Sequence, residues 1–136
     1  MSLVLDSSVA LAYCFDEEIA PKILVTFHRV IDEGIVVPSL WRYEVANVLA
    51  LAERRGRVTL GFPKIAFDRF EKISIVVDEE SDEQAWTTTI RLAALYTLTV
   101  YDAAYLELAQ RRRLPLATLD AALAQAARVA GVETLI

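Results

Sequence analysis

Four carboxylates, Asp6, Glu44, Asp102 and Asp120, stand where solvent-facing acids do not belong. Asp6 and Asp120 each end an apolar, strand-like run and precede a helix, in SLVLDSS and LATLDAAL. Open parallel sheets place their ligand crevices beyond the carboxyl ends of the strands, so both aspartates point into one crevice if their strands are neighbours. Glu44 falls on the apolar side of its helix, about 60 degrees from the centre of the stripe Trp41, Val45, Val48, Leu49 and Ala52. The nearest cation on that helix able to share its face, Arg55, is roughly 16 Å along the axis, so something from elsewhere must satisfy the charge. Asp102 projects between Tyr105, Leu106 and Ala109, whereas Glu107 reads as lying on the polar side with Gln110 and Arg111. Each aspartate alone is explained as an N-cap worth about 1 kcal/mol. Capping explains neither two aspartates at strand ends in one crevice nor a glutamate on an apolar face.

Four acids within a few ångströms cannot all stay ionised without a compensating cation, and all-oxygen ligation suits Mg²⁺ or Mn²⁺ rather than zinc. Such ions keep several waters, bind substrate phosphates and activate water for in-line attack, which points to metal-dependent phosphodiester hydrolysis. Competing chemistries are thin. Cys14 is the only cysteine and reads as a small core residue, which removes intramolecular disulfides and cysteine-based zinc sites. His28 is the only histidine and reads as a helix-surface or core residue, so a Ser-His-Asp triad would depend on it alone.

The net charge of −5 opposes nucleic-acid binding by bulk electrostatics. Local grip could come from Arg54, Arg55 and Arg57 or from Arg111, Arg112 and Arg113, although both clusters sit at helix C-termini, where basic residues are ordinary dipole partners. The run Asp78, Glu79, Glu80, Asp82 and Glu83 reads as solvated charge at a helix N-terminus. Tyr13, Phe15, Trp41, Tyr101 and Tyr105 read as core or interface aromatics, and none is assigned to RNA.

The elements that must position the acids alternate strand and helix. Strands are predicted at Ser2–Asp6, Ile35–Pro38, Ile73–Val77, Pro115–Leu119 and Val132–Ile136. Helices are predicted after Ser8, from Glu17 to Asp32 with Gly34 as a stop, from Ser39 to Arg55, from Thr59 to Lys72, and over 81–96, 100–113 and 121–130. This alternation predicts a parallel sheet covered by helices on both faces. A length of 136 residues with no linker or repeat predicts one domain, 1–136. A hydrophobic fraction of 55% and mean hydropathy of +0.37 suggest elements buried on more than one face, or a buried partner surface. No apolar run approaches the ~18 residues that span a bilayer, and no leader is legible, so a cytoplasmic, reducing location is expected.

The segments VLDSSVALAYCF, VPSLWRYEVANVLA and VYDAAYLELAQRRRLPLATLDAAL, in this order and spacing, closely resemble bacterial PIN-domain toxins of the VapC type over essentially the whole chain. The resemblance implies a PIN-like three-layer α/β sandwich with a five-stranded parallel sheet, a homodimer, and Mg²⁺- or Mn²⁺-dependent endoribonuclease activity. It also implies restraint by a cognate VapB-type antitoxin that inserts a basic segment into the acidic crevice. Carried over residue by residue, it marks Asp6, Glu44, Asp102 and Asp120 as the metal-binding and catalytic set, Ser8 and Thr118 as supporting groups, and Asn47 as a residue that orients Glu44. Two rivals stand against it. A phosphoacceptor receiver domain lacks its second acid here, since Ser7 follows Asp6, and lacks a lysine in the terminal VETLI. A non-enzymatic binding module predicts no metal affinity.

Overall fold

The computed structural model describes residues 1–15 and 19–136, so the predicted start of the second helix at Glu17 lies outside the described residues. Five short strands, β1 (Leu3–Leu5), β2 (Ile35–Val37), β3 (Ile75–Val77), β4 (Leu116–Ala117) and β5 (Thr134–Leu135), form one sheet in the order β3-β2-β1-β4-β5. Every pairing is parallel, as the alternation of strand and helix requires.

The helices are α1 (Ser7–Phe15), α2 (Pro21–Glu33), α3 (Leu40–Arg54), α4 (Phe62–Phe70), α5 (Ser81–Gln84), α6 (Ile90–Tyr96), α7 (Val100–Arg112) and α8 (Ala121–Val129). A π-helical turn at Ala85–Thr89 joins α5 to α6 within the segment read as one helix. Chain order runs outward from β1 to β3 and then returns past β1 to β4 and β5. With right-handed crossovers, α1–α4 therefore cover one face and α5–α8 the other, which is the α/β sandwich expected.

The strands bounding the centre are fully apolar and buried: Leu3, Val4, Leu5, Leu116 and Ala117 are shielded from solvent on both faces. The edge strand β3 is different, with Val76 and Val77 substantially exposed. Gly34, expected as a helix stop, has a sharper reason to be glycine. Its φ is +78°, and a Cβ there would lie 2.9 Å from the Ser74 carbonyl oxygen, so α2 turns into β2 only where no side chain intervenes. The helix expected from Thr59 begins later, at Phe62, with Gly61 left-handed before it and Pro63 in its first turn.

Reversal of chain direction at β1 leaves β1 and β4 adjacent, with their following segments diverging to opposite faces. The crevice beyond the carboxyl ends of these two strands is the switch point of the sheet. The Asp6 amide donates to the Ala117 carbonyl at 3.0 Å, carrying the ladder to the crevice floor and fixing Asp6 beside Thr118.

Candidate active site

Asp6 is 4% exposed and held from two sides. The Ser8 and Thr118 hydroxyls each donate to its Oδ2 at 2.7 Å. Both hydroxyls also accept at 3.0 Å: Ser8 Oγ from the Leu119 amide of the opposite loop, and Thr118 Oγ1 from the Asp120 amide two residues on in its own loop. Two small polar side chains thus lock the ends of β1 and β4 into one unit and fix the rotamer of Asp6. Asp6 is no side-chain N-cap, because its carboxylate receives hydroxyls rather than helix amides. Asp120 does cap α8: its Oδ1 accepts from the Leu123 amide at 2.8 Å.

Asp102 lies in the first turn of α7, where Thr99 is the cap and accepts from the Asp102 amide at 3.1 Å. Burial, then the negative charges of Asp120 and Asp6, push the Asp102 carboxyl above its ordinary range against an opposing hydrogen bond from Thr99. Glu44 is half-buried on α3. Burial pushes its carboxyl up, a hydrogen bond from the Tyr105 hydroxyl pulls it back, and the charges of Asp6 and Asp102 raise it again, with Ser7 opposing. Among the described residues, none of the four acids makes a salt bridge.

Mutual electrostatic pressure among Asp6, Glu44, Asp102 and Asp120 therefore ties together side chains from β1, α3, α7 and the β4–α8 junction. Among the described residues, no three acidic, histidine or cysteine side chains stand close enough to hold an ion as they lie. The donor set fits a hard divalent cation in its chemistry, since all four are carboxylates and Mg²⁺ fills much of its coordination shell with water.

The structure corrects several expectations. Glu107 is 2% exposed, not on a polar face, because residues 103–109 of α7 are all buried and the helix has no solvent side there. Its charge is met by Arg111, whose Nε donates to it at 2.8 Å. Asp78 is also buried rather than solvated, accepting from Arg111 at 2.6 and 3.2 Å, from Arg112 at 2.7 Å and from Ser81 at 2.8 Å. Burial would raise the Asp78 carboxyl, but these donors hold it well below the usual carboxylate range. Arg111 and Arg112 are thereby committed to buried acids, which leaves Arg113, exposed and in no ion pair among the described residues, as the member of that cluster open to a phosphate. Glu79, Glu80, Asp82 and Glu83 remain exposed as expected.

Val48, expected in the core stripe of α3, is 37% exposed. Asn47 is exposed, and it is Tyr105 that donates to Glu44. Sequence reasoning placed Tyr105 among core aromatics, and its ring is indeed fully buried; what it missed is the hydroxyl. The available signal was spacing, since Tyr105 follows Asp102 by three residues on one helical face. His28 is exposed on α2, and Cys14 packs against the core, where burial pushes its thiol up to about 11.

A parallel α/β sheet whose switch-point crevice gathers carboxylates that no cation pairs among the described residues defines a class of fold and site. Within that class, the chain belongs to the PIN domain family, whose model matches residues 3–129. PIN domains are usually nucleases and generally depend on divalent metal. Among solved structures, the chain is similar to PAE2754 from Pyrobaculum aerophilum, with 21% identity, a TM-score of 0.67, and coverage of 99% of this chain and 90% of that one. It is also similar to FitAcB from Neisseria gonorrhoeae, with 16% identity, a TM-score of 0.66, and coverage of 98% and 96%. No curated protein matches in sequence.

Proposed function

We propose that residues 1–136 form a single PIN domain acting as an Mg²⁺- or Mn²⁺-dependent endoribonuclease, the toxin of a type II toxin–antitoxin pair. The observation that carries this reading is the set of four mutually repelling carboxylates at the switch point, with no salt bridge to any of them among the described residues. A crevice of that charge favours a divalent cation, and the family is one of metal-dependent nucleases. Asp6, Glu44, Asp102 and Asp120 are the residues that would hold the ion. Bound there, it supplies Lewis acidity toward water and the phosphate oxyanion.

The chain's own contribution is positioning. Ser8 and Thr118 fix Asp6 at the crevice floor, the α8 amide holds Asp120, and Tyr105 holds Glu44. Carboxylate oxygens left toward the crevice can accept a proton from an attacking water.

RNA as substrate and a VapB-type antitoxin as partner rest on the motif resemblance. An antitoxin arginine or lysine entering the crevice would neutralise the same acids. A homodimer is supported by exposed aromatic surface: Ser39 Oγ, just before α3, donates to Asp82 of α5 at 2.8 Å, and one turn beyond each lie Tyr43, 80% exposed, and Trp86, 91% exposed. No helix among the described residues is long and apolar enough to cross a membrane, and a cytoplasmic location accords with that.

The test is cleavage of a mixed pool of structured RNAs by antitoxin-free protein with Mg²⁺, Mn²⁺ or EDTA, beside Asp6→Asn. Cleavage with metal, abolished by EDTA and by Asp6→Asn, is expected. Cleavage persisting in EDTA, or undiminished in Asp6→Asn, would contradict the proposal.

A further inference from the structure

Tyr105 is 0% exposed, so its phenol is costly to bury unless the hydroxyl finds a partner. The partner is the Glu44 carboxylate, 61 positions away in sequence. The hydrogen bond crosses between α7 and α3, which lie on opposite faces of the sheet, and it meets Glu44 above the carboxyl ends of the strands. No guanidinium or ammonium is paired with Glu44 among the described residues. Among the described residues its recorded donor is the neutral Tyr105 hydroxyl, which orients a carboxylate without cancelling its charge.

A ring locked in the core makes a rigid mount for a donor. Glu44 itself sits on a long, flexible side chain and would otherwise sample several rotamers. Asp102 lies one turn before Tyr105 on α7, so one helix both contributes an acid to the crevice and sets the position of the acid from the opposite face. Outer partners of this kind determine how well a first ligand is presented.

We infer that Tyr105 is a positioning residue for the metal site: its buried hydroxyl fixes the Glu44 carboxylate in the orientation that receives a divalent cation. The inference rests on the metal-site reading given above.

The test is calorimetric titration of Mn²⁺ into four proteins: wild type, Tyr105→Phe, Glu44→Gln and the double variant. Tyr105→Phe keeps the buried ring and removes only the hydroxyl, and thermal melting without metal verifies that each variant is folded. Tyr105→Phe is expected to weaken Mn²⁺ binding about tenfold or more. In the Glu44→Gln background the same substitution is expected to change nothing further, because its effect passes through that carboxylate. Wild-type affinity in Tyr105→Phe, or an undiminished loss in the Glu44→Gln background, would overturn the positioning role and leave the metal site standing. Absence of Mn²⁺ binding by the folded wild type would overturn both.

Discussion

Two groups of buried acids in this small domain meet opposite fates. Asp78 and Glu107 are tied to Arg111 and Arg112 by hydrogen bonds of 2.6 to 3.2 Å, and the Asp78 carboxyl is held below its ordinary range. Asp102 and Glu44 face one another and Asp6 with hydroxyls for company, and both are pushed above theirs. Burial is common to both groups. What differs is whether the chain supplies the cation. The first group is a complete ion network that joins the end of β3 to α7, and it can only hold structure together. The second is left incomplete by the chain and has capacity for something that arrives.

The largest effect that sharpens this contrast is on catalysis. Asp6→Asn and Asp102→Asn should lower metal-dependent RNA cleavage by at least about a hundredfold, since even outer partners of a metal site cost up to that much. Thermal melting should show both variants folded, with Asp102→Asn at least as stable as wild type, because removing one crowded charge relieves the others.

Stability should respond in reverse at the other cluster. Arg111→Met leaves Asp78 and Glu107 buried without their shared cation and is expected to cost about 3–5 kcal/mol in urea unfolding. Glu107→Gln, which a reading of the helix face would class as harmless, should cost about 1–3 kcal/mol, because a charged bond to Arg111 is lost in a buried place. A result within error of wild type for both would mean that the network is not what holds β3 to α7.

A smaller effect is the pH dependence of the metal-free protein. Glu44 and Asp102 have folded pKa values above their ordinary 4.5 and 3.8, so their contribution favours the fold below those values and is lost as pH rises through the raised ones. Asp78 has a folded pKa below 3.8, so its contribution is present above that value and is lost as pH falls beneath it. Urea midpoints should therefore rise as pH falls from neutral into the mildly acid range and drop again in stronger acid. Asp102→Asn should flatten the first limb and leave the second.

How far the sequence reached follows from what periodicity can report. Strand positions, the parallel sheet and helices on both faces were legible, because apolar runs of strand length alternate with helical spacing. Asp6 and Asp120 after the ends of strands were legible for the same reason, whereas the pairing of those strands, β1 with β4, comes from the structure. Glu107 was misplaced because a helical wheel assumes one wet side, and α7 is enclosed through its middle. Asp78 was misplaced because a run of acids reads as solvated, whereas its position at the end of β3 turns this one residue inward toward Arg111. The Tyr105 hydroxyl escaped because pattern identifies which rings are buried and says nothing of the partner a buried hydroxyl requires.

Urea unfolding of wild type and Asp102→Asn, each with and without Mn²⁺, tests most directly whether the incomplete cluster is a metal site. Mn²⁺ at a hundred times its dissociation constant should stabilise the wild type by about 2.7 kcal/mol. Asp102→Asn should match or exceed the wild type without metal and gain little from Mn²⁺. No gain by the wild type, together with a metal-free Asp102→Asn less stable than its parent, would show that these acids serve the fold rather than a cation and would contradict the account.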